Sequence, residues 1–154
     1  MIVNRRYFFP VLWSIGGGAL WAEQTNDPWP KDKLLESAAL AERLRKGSHP
    51  EIISVAFPVL YRQKHIPGAR LAGPASKPEG IAQLKAAVAK LPKNTQIVIY
   101  CGCCPMTQCP NIRPAYSALH ELGYTNVYVL NLPVNFHADW DQKGYPVESS
   151  LQPA

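Results

Sequence analysis

The chain has 154 residues and a mass of 17.1 kDa, the size of one compact domain with a short appendage and too little for two full domains. Hydrophobic residues make up 47% and charged residues 18%, which supports a packed core and excludes disorder over the whole length; the 15 prolines point to a loop-rich surface rather than a helical bundle. The formal charge is +5, but Arg5 and Arg6 lie in a segment expected to be removed and no longer Lys/Arg run occurs, so nucleic acid is not an expected partner.

Residues 1–22 read as an N-terminal export signal. Arg5 and Arg6 give a positive start without acidic residues, Phe8 to Trp21 is apolar, and small residues follow at Ala19 and Ala22. The run Arg5-Arg6-Tyr7-Phe8-Phe9 also has the look of a twin-arginine signal, so the mature protein is expected to be exported, periplasmic or otherwise extracytoplasmic. Pro10 and the Gly16-Gly17-Gly18 triplet interrupt the apolar stretch, leaving it short of the ~20 apolar residues of a membrane helix. No stable membrane span is expected after processing.

Residues 23–32 are polar and proline-punctuated, and read as a linker to a domain over 33–148, with 149–154 as a C-terminal tail. Leu34, Ala38, Ala41 and Leu44 share one helical face, stopped at Lys46-Gly47. Ile52 to Val55 reads as a short buried strand. Ile81, Leu84, Val88 and Leu91 repeat the helical spacing up to Pro92, and Gln96 to Tyr100 is a strand of β-branched and aromatic residues. Ile112, Ala115, Leu119 and Leu122 make a third helical face closed by Gly123, and Val127 to Leu130 is a further strand. Alternating strands and helices of this length predict a single α/β domain, with a parallel sheet covered by helices on both faces.

Chemistry concentrates in residues 101–111, CGCCPMTQCPN. All four cysteines of the chain fall within nine positions here, after a buried strand and before a helix. Ligands bind outside the carboxyl ends of strands in such sheets, and a thiol there gains from loop amides and from the positive end of the following helix. A thiol of this cluster is the candidate nucleophile.

Three further segments strengthen that assignment. His65-Ile66-Pro67-Gly68-Ala69, the strand Ile97 to Cys101, and Trp140 to Val147 with its Gly144-Tyr145-Pro146-Val147 ending resemble the rhodanese-like sulfurtransferases over nearly all of residues 33–148. The resemblance implies a doubly wound parallel sheet and a persulfide on Cys101 that passes sulfane sulfur to a thiophilic acceptor. It also implies a loop-amide cradle at Gly102, Cys103, Cys104 and Met106, and no cofactor. The expected partners are a small sulfur-containing anion such as thiosulfate and a thiol or cyanide acceptor. The chain departs from the family where Ser54-Val55-Ala56 replaces the usual Asp-x-Arg, and in a longer loop carrying Cys103, Cys104 and Cys109, candidate relay or resolving thiols.

Rival readings meet specific obstacles. Adjacent Cys103 and Cys104 bridge only through a strained ring, and loops this short gain little from stapling. A metal centre on Cys101, Cys103, Cys104 and Cys109 is the alternative that soft thiolate ligands suggest, as part of a non-catalytic thiol-redox or metal-binding module, but C-x-C-C-x4-C is not the paired spacing of zinc sites. A cysteine phosphatase would need an arginine to grip an oxyanion five or six residues after the nucleophile, where Met106 and Thr107 stand. Arg113 remains a candidate steering charge for the substrate. His65 reads as a hydrogen-bonded turn residue, and His137 as a residue able to border the pocket.

Overall fold

The computed structural model describes residues 27–151; the expected export signal lies outside the described residues. Strands and helices alternate as β1 (Leu34–Glu36), α1 (Ser37–Arg45), β2 (Glu51–Ser54), α2 (Pro58–Gln63), β3 (Arg70–Leu71), α3 (Pro78–Val88), β4 (Ile97–Tyr100), α4 (Ile112–Glu121) and β5 (Val127–Asn131). A short π-helical turn, His137–Asp141, follows. The strands form one five-stranded parallel sheet in the order β1-β5-β4-β2-β3. None of the described helices is long and apolar enough to cross a membrane.

Strand β4 lies at the centre because it can be buried on both faces. Ile97, Val98, Ile99 and Tyr100 are all buried, the continuous apolar run that a parallel sheet covered on two sides requires. Ile97 and Ile99 pack into the layer that holds Leu84 and Val88 of α3 and Ala115 and Leu119 of α4. Val98 and Tyr100 pack into the opposite layer, with Leu40, Ala41 and Leu44 of α1, Ile66 and Trp140. The chain after β5 closes the second layer: Trp140 is fully buried and its indole N–H donates to the Pro146 carbonyl at 2.7 Å. The backbones of His65 and Glu148 then exchange hydrogen bonds at 2.9 and 2.8 Å.

The sequence reading needs correction at its N-terminal end. Leu34 belongs to β1 and not to the first helix: Leu34, Leu35 and Glu36 pair with Val129, Leu130 and Asn131 of β5. The helix starts only at Ser37, whose hydroxyl donates to the Asn131 carbonyl at 2.7 Å. Its buried face is therefore Ser37, Leu40, Ala41 and Leu44, with Ala38 exposed. Edge pairing to β5 satisfies backbone groups over these residues that one more helical turn would have satisfied internally.

The segment read as linker is also part of the folded body from Asp27 onward. Trp29 is buried edge-on against Tyr116 of α4 at 5.6 Å between ring centroids, and Arg113 pairs with Asp27 at 2.5 Å. Helix α2 and the two-residue β3 carry too few periodic positions for a sequence pattern, yet α2 supplies one wall of the pocket described next.

Candidate active site

Cys101 follows the last residue of β4, so its position is set by the central strand. Gly102 then turns the chain at φ +71°, and a side chain there would meet Phe136, whose Cβ lies 2.7 Å from the Cβ position of Gly102. The Phe136 amide donates to the Gly102 carbonyl at 3.0 Å. The turn after β4 and the segment after β5 are thereby held together at the carboxyl edge of the sheet, the edge where α/β sheets bind ligands.

A pocket of about 460 Å³ opens at this edge and Cys101 borders it. Leu60 and Tyr61 of α2, Tyr100 and Phe136 give it largely apolar walls. Its polar rim is Lys64, His137 and Asp141. The Lys64 ammonium donates to both Asp141 carboxylate oxygens, at 2.9 and 2.7 Å, and His137 Nδ1 lies 3.0 Å from the same carboxylate. These two neighbours hold the Asp141 carboxyl below its ordinary range, and the Lys64 charge is answered at the rim. His137 does border the pocket, as its place after the last strand suggested.

The four cysteines are unpaired and fall into two settings. Cys101 and Cys109 are buried, while Cys103 and Cys104 are half-buried. The Cys101 and Cys103 sulfurs are 3.1 Å apart and those of Cys103 and Cys104 3.2 Å apart. The sulfurs of Cys101, Cys103 and Cys109 all lie within 4.8 Å of one another. This is the group among the described residues that could offer thiolates to a soft ion, and the Cys104 sulfur lies beside it, 3.2 Å from that of Cys103.

Helix and loop amides act at a different sulfur from the one the sequence suggested. The neighbouring Cys101 thiol and then the backbone amides of Asn111 and Ile112 hold the Cys109 thiol, against burial, down to about 5; the Cys101 thiol itself donates to the Cys103 sulfur. The same neighbour, Cys109, and then burial push the Cys101 thiol far above the ordinary thiol range. Burial and the adjoining Cys103 push Cys104 up to about 12. The pair is thus biased toward a proton on Cys101 and negative charge on Cys109, beside the start of α4, where exposed N–H groups favour an anion.

Two other expectations change. The Met106 amide donates to the Pro133 carbonyl at 3.4 Å and is not part of a cradle around Cys101. Arg113 does not border the pocket; its guanidinium donates to Asp27 and to the carbonyls of Met106 and Cys109, at 3.2 and 3.4 Å. It fastens the cysteine loop to the N-terminal segment, where Asp27 answers its charge. His65 is the turn residue expected, buried and stacked on Tyr61 at 3.9 Å.

Asn111 is the site residue that sequence reasoning missed. It is fully buried, its side-chain oxygen accepts from the Ser76 amide at 3.0 Å, and its Nδ2 donates to the Cys101 sulfur at 3.4 Å. An Asn just before a helix suggests a cap, but this side chain makes no cap hydrogen bond. The available signal was its place two residues after Cys109.

The family model described as Rhodanese-like domain matches residues 36–132. Among solved structures, a rhodanese-like domain from Anabaena sp. is 24% identical, with 79% of this chain and 85% of that chain covered and a TM-score of 0.56. A protein of Bacillus halodurans is 21% identical, with 75% and 76% covered and a TM-score of 0.58. No curated protein matches the chain.

Proposed function

The chain belongs to the rhodanese-like domain family, a sulfurtransferase superfamily, and from that premise we propose that it transfers sulfane sulfur through a persulfide on Cys101 to a thiophilic acceptor. The observation that carries this reading is the placement of Cys101: it directly follows the central strand and borders the large pocket at the carboxyl edge of the sheet.

The chemistry follows from the thiol pair. A proton shift from Cys101 to Cys109 places the charge on Cys101, which attacks the outer sulfur of a thiosulfate-type donor. The donor's S–S bond breaks and sulfite leaves with its electron pair. Cyanide or a thiol then attacks the sulfane sulfur and returns Cys101 as thiolate. Asn111 Nδ2, 3.4 Å from the Cys101 sulfur, opposes the forces that keep this thiol protonated. The pocket, at about 460 Å³, exceeds the needs of a small inorganic anion and leaves room for an organic thiol. From the export signal expected in residues 1–22 we infer that the reaction runs outside the cytoplasm; N-terminal sequencing of protein from its host should find a start near Leu20 or Glu23, and a soluble protein starting at Met1 would defeat that inference.

Cys101→Ser tests the reading, because a hydroxyl preserves volume but lacks a low-pKa, polarizable nucleophile. Thiocyanate release from thiosulfate and cyanide should fall at least ~100-fold, with the far-UV circular dichroism of wild type. Undiminished turnover in the folded variant would remove Cys101 from the role.

A further inference from the structure

Cys101 is the one cysteine that borders two cavities. The large pocket touches Cys101 and Cys103 but not Cys109. A second, narrow cavity of about 10 Å³ touches Cys101, Cys104 and Cys109, with Met106, Ile112 and Leu132 as apolar walls. Its volume is on the order of one small sphere such as a water molecule, and the walls offer a water few polar partners. Cys109 is 4% exposed and does not border the large pocket, so sulfur from a substrate there reaches it through a neighbouring thiol; of Cys101 and Cys103, both within 4.8 Å of it, Cys101 alone shares the narrow cavity with it.

We propose that Cys109 is a second sulfur carrier, which takes the sulfane sulfur from Cys101 inside the protein and holds it at the start of α4. This rests on the persulfide reading of Cys101. In the step, Cys109 first returns to the sulfane sulfur the proton it took from Cys101, and its thiolate then attacks the outer sulfur of the Cys101 persulfide. A Cys109–sulfane bond forms, the Cys101–sulfane bond breaks, and the electron pair stays on Cys101. Cys101 takes up the proton that the sulfane carried, and the negative charge remains on the Cys109 side chain. One persulfide is exchanged for another, with no oxidant, reductant or released sulfide.

Several features favour this direction. The amides of Asn111 and Ile112 that hold the Cys109 thiolate remain in place for a persulfide anion on the same residue, and Cys101, driven toward its protonated form, retains the proton it gains. Cys103 is nearer to Cys101, at 3.1 Å, but it is half-buried and borders the large pocket, where an acceptor would strip its sulfur. After the hand-off Cys101 is free to accept a second sulfur atom.

The experiment uses the full-length protein and less than one equivalent of thiosulfate radiolabelled in its outer sulfur. Rapid alkylation in denaturant follows, with fragmentation of the peptide spanning residues 94–113. In wild type more than half of the label should reside on Cys109. In Cys109→Ser it should stay on Cys101, and cyanide should remove it faster than from wild type. Label confined to Cys101 in wild type, or found on Cys103 or Cys104, would overturn the hand-off while leaving the persulfide reading standing. Label on no cysteine would overturn both. The wild-type map needs no variant, so a folding defect in Cys109→Ser does not blunt the test.

Discussion

Asn111 ties the reacting sulfur to the polypeptide through one side chain with no solvent exposure. Its oxygen takes the Ser76 amide and its nitrogen points to the Cys101 sulfur, so both halves of the carboxamide are used. Asn111→Ala removes the acceptor of the Ser76 amide, whose residue is exposed and whose N–H can turn to water, so the loss is that of an ordinary hydrogen bond, about 0.5–1.5 kcal/mol; urea unfolding should show it. Asn111→Asp keeps the acceptor but replaces the donor with a carboxylate, and should slow persulfide formation on Cys101 more than it lowers stability. Gly102 sets the neighbouring constraint. At φ +71° and with Phe136 in the way, Gly102→Ala should destabilise the protein by at least ~1 kcal/mol and disturb the joint between the loop and the segment after β5.

At the scale of elements, the cysteine loop and the start of α4 work as one anion site. The folded Cys109 thiol is depressed from its ordinary 9.0 to about 5. Its thiolate is therefore present at every pH above about 5 and lost only as the pH falls through that value. The titrating neighbours facing it are Cys101, Cys103 and Cys104. Far-UV thiolate absorbance should thus retain one thiolate per chain at pH 6 and lose it in a step near pH 5; in Cys109→Ala that step should be absent. The sequence placed the nucleophilic cluster between β4 and α4 because the cysteine spacing and the apolar strand are local signals. It could not assign the charge among the four thiols, since that depends on which sulfur meets the amides of Asn111 and Ile112. For the same reason α4 was legible from Ile112, Ala115 and Leu119. The wall formed by Leu60, Tyr61 and Lys64 was not, because six residues of α2 show no full amphipathic period.

Across the whole molecule, the sheet separates two packed layers and the ends of the domain close them. The layer of α3 and α4 is closed by Trp29, which contacts Tyr116 and lies 5.6 Å from the Arg113 guanidinium. That guanidinium also binds Asp27 and the loop carbonyls of Met106 and Cys109. Residues 27–32 thus connect the boundary of the domain to the loop that carries the chemistry, a long-range link that no local sequence pattern exposes. Two chains, one beginning at Asp27 and one at Lys33, separate this role from that of the sheet. Losing a buried tryptophan costs about 3–5 kcal/mol, with the Asp27–Arg113 pair, part-buried and partly screened, adding less. The chain beginning at Lys33 should therefore unfold at lower urea by about that margin. Its cysteine loop should also alkylate faster at Cys109 under native conditions, because Arg113 has lost the carboxylate that fixes it over the loop. Equal stability and equal alkylation in the two chains would return residues 27–32 to the status of a linker.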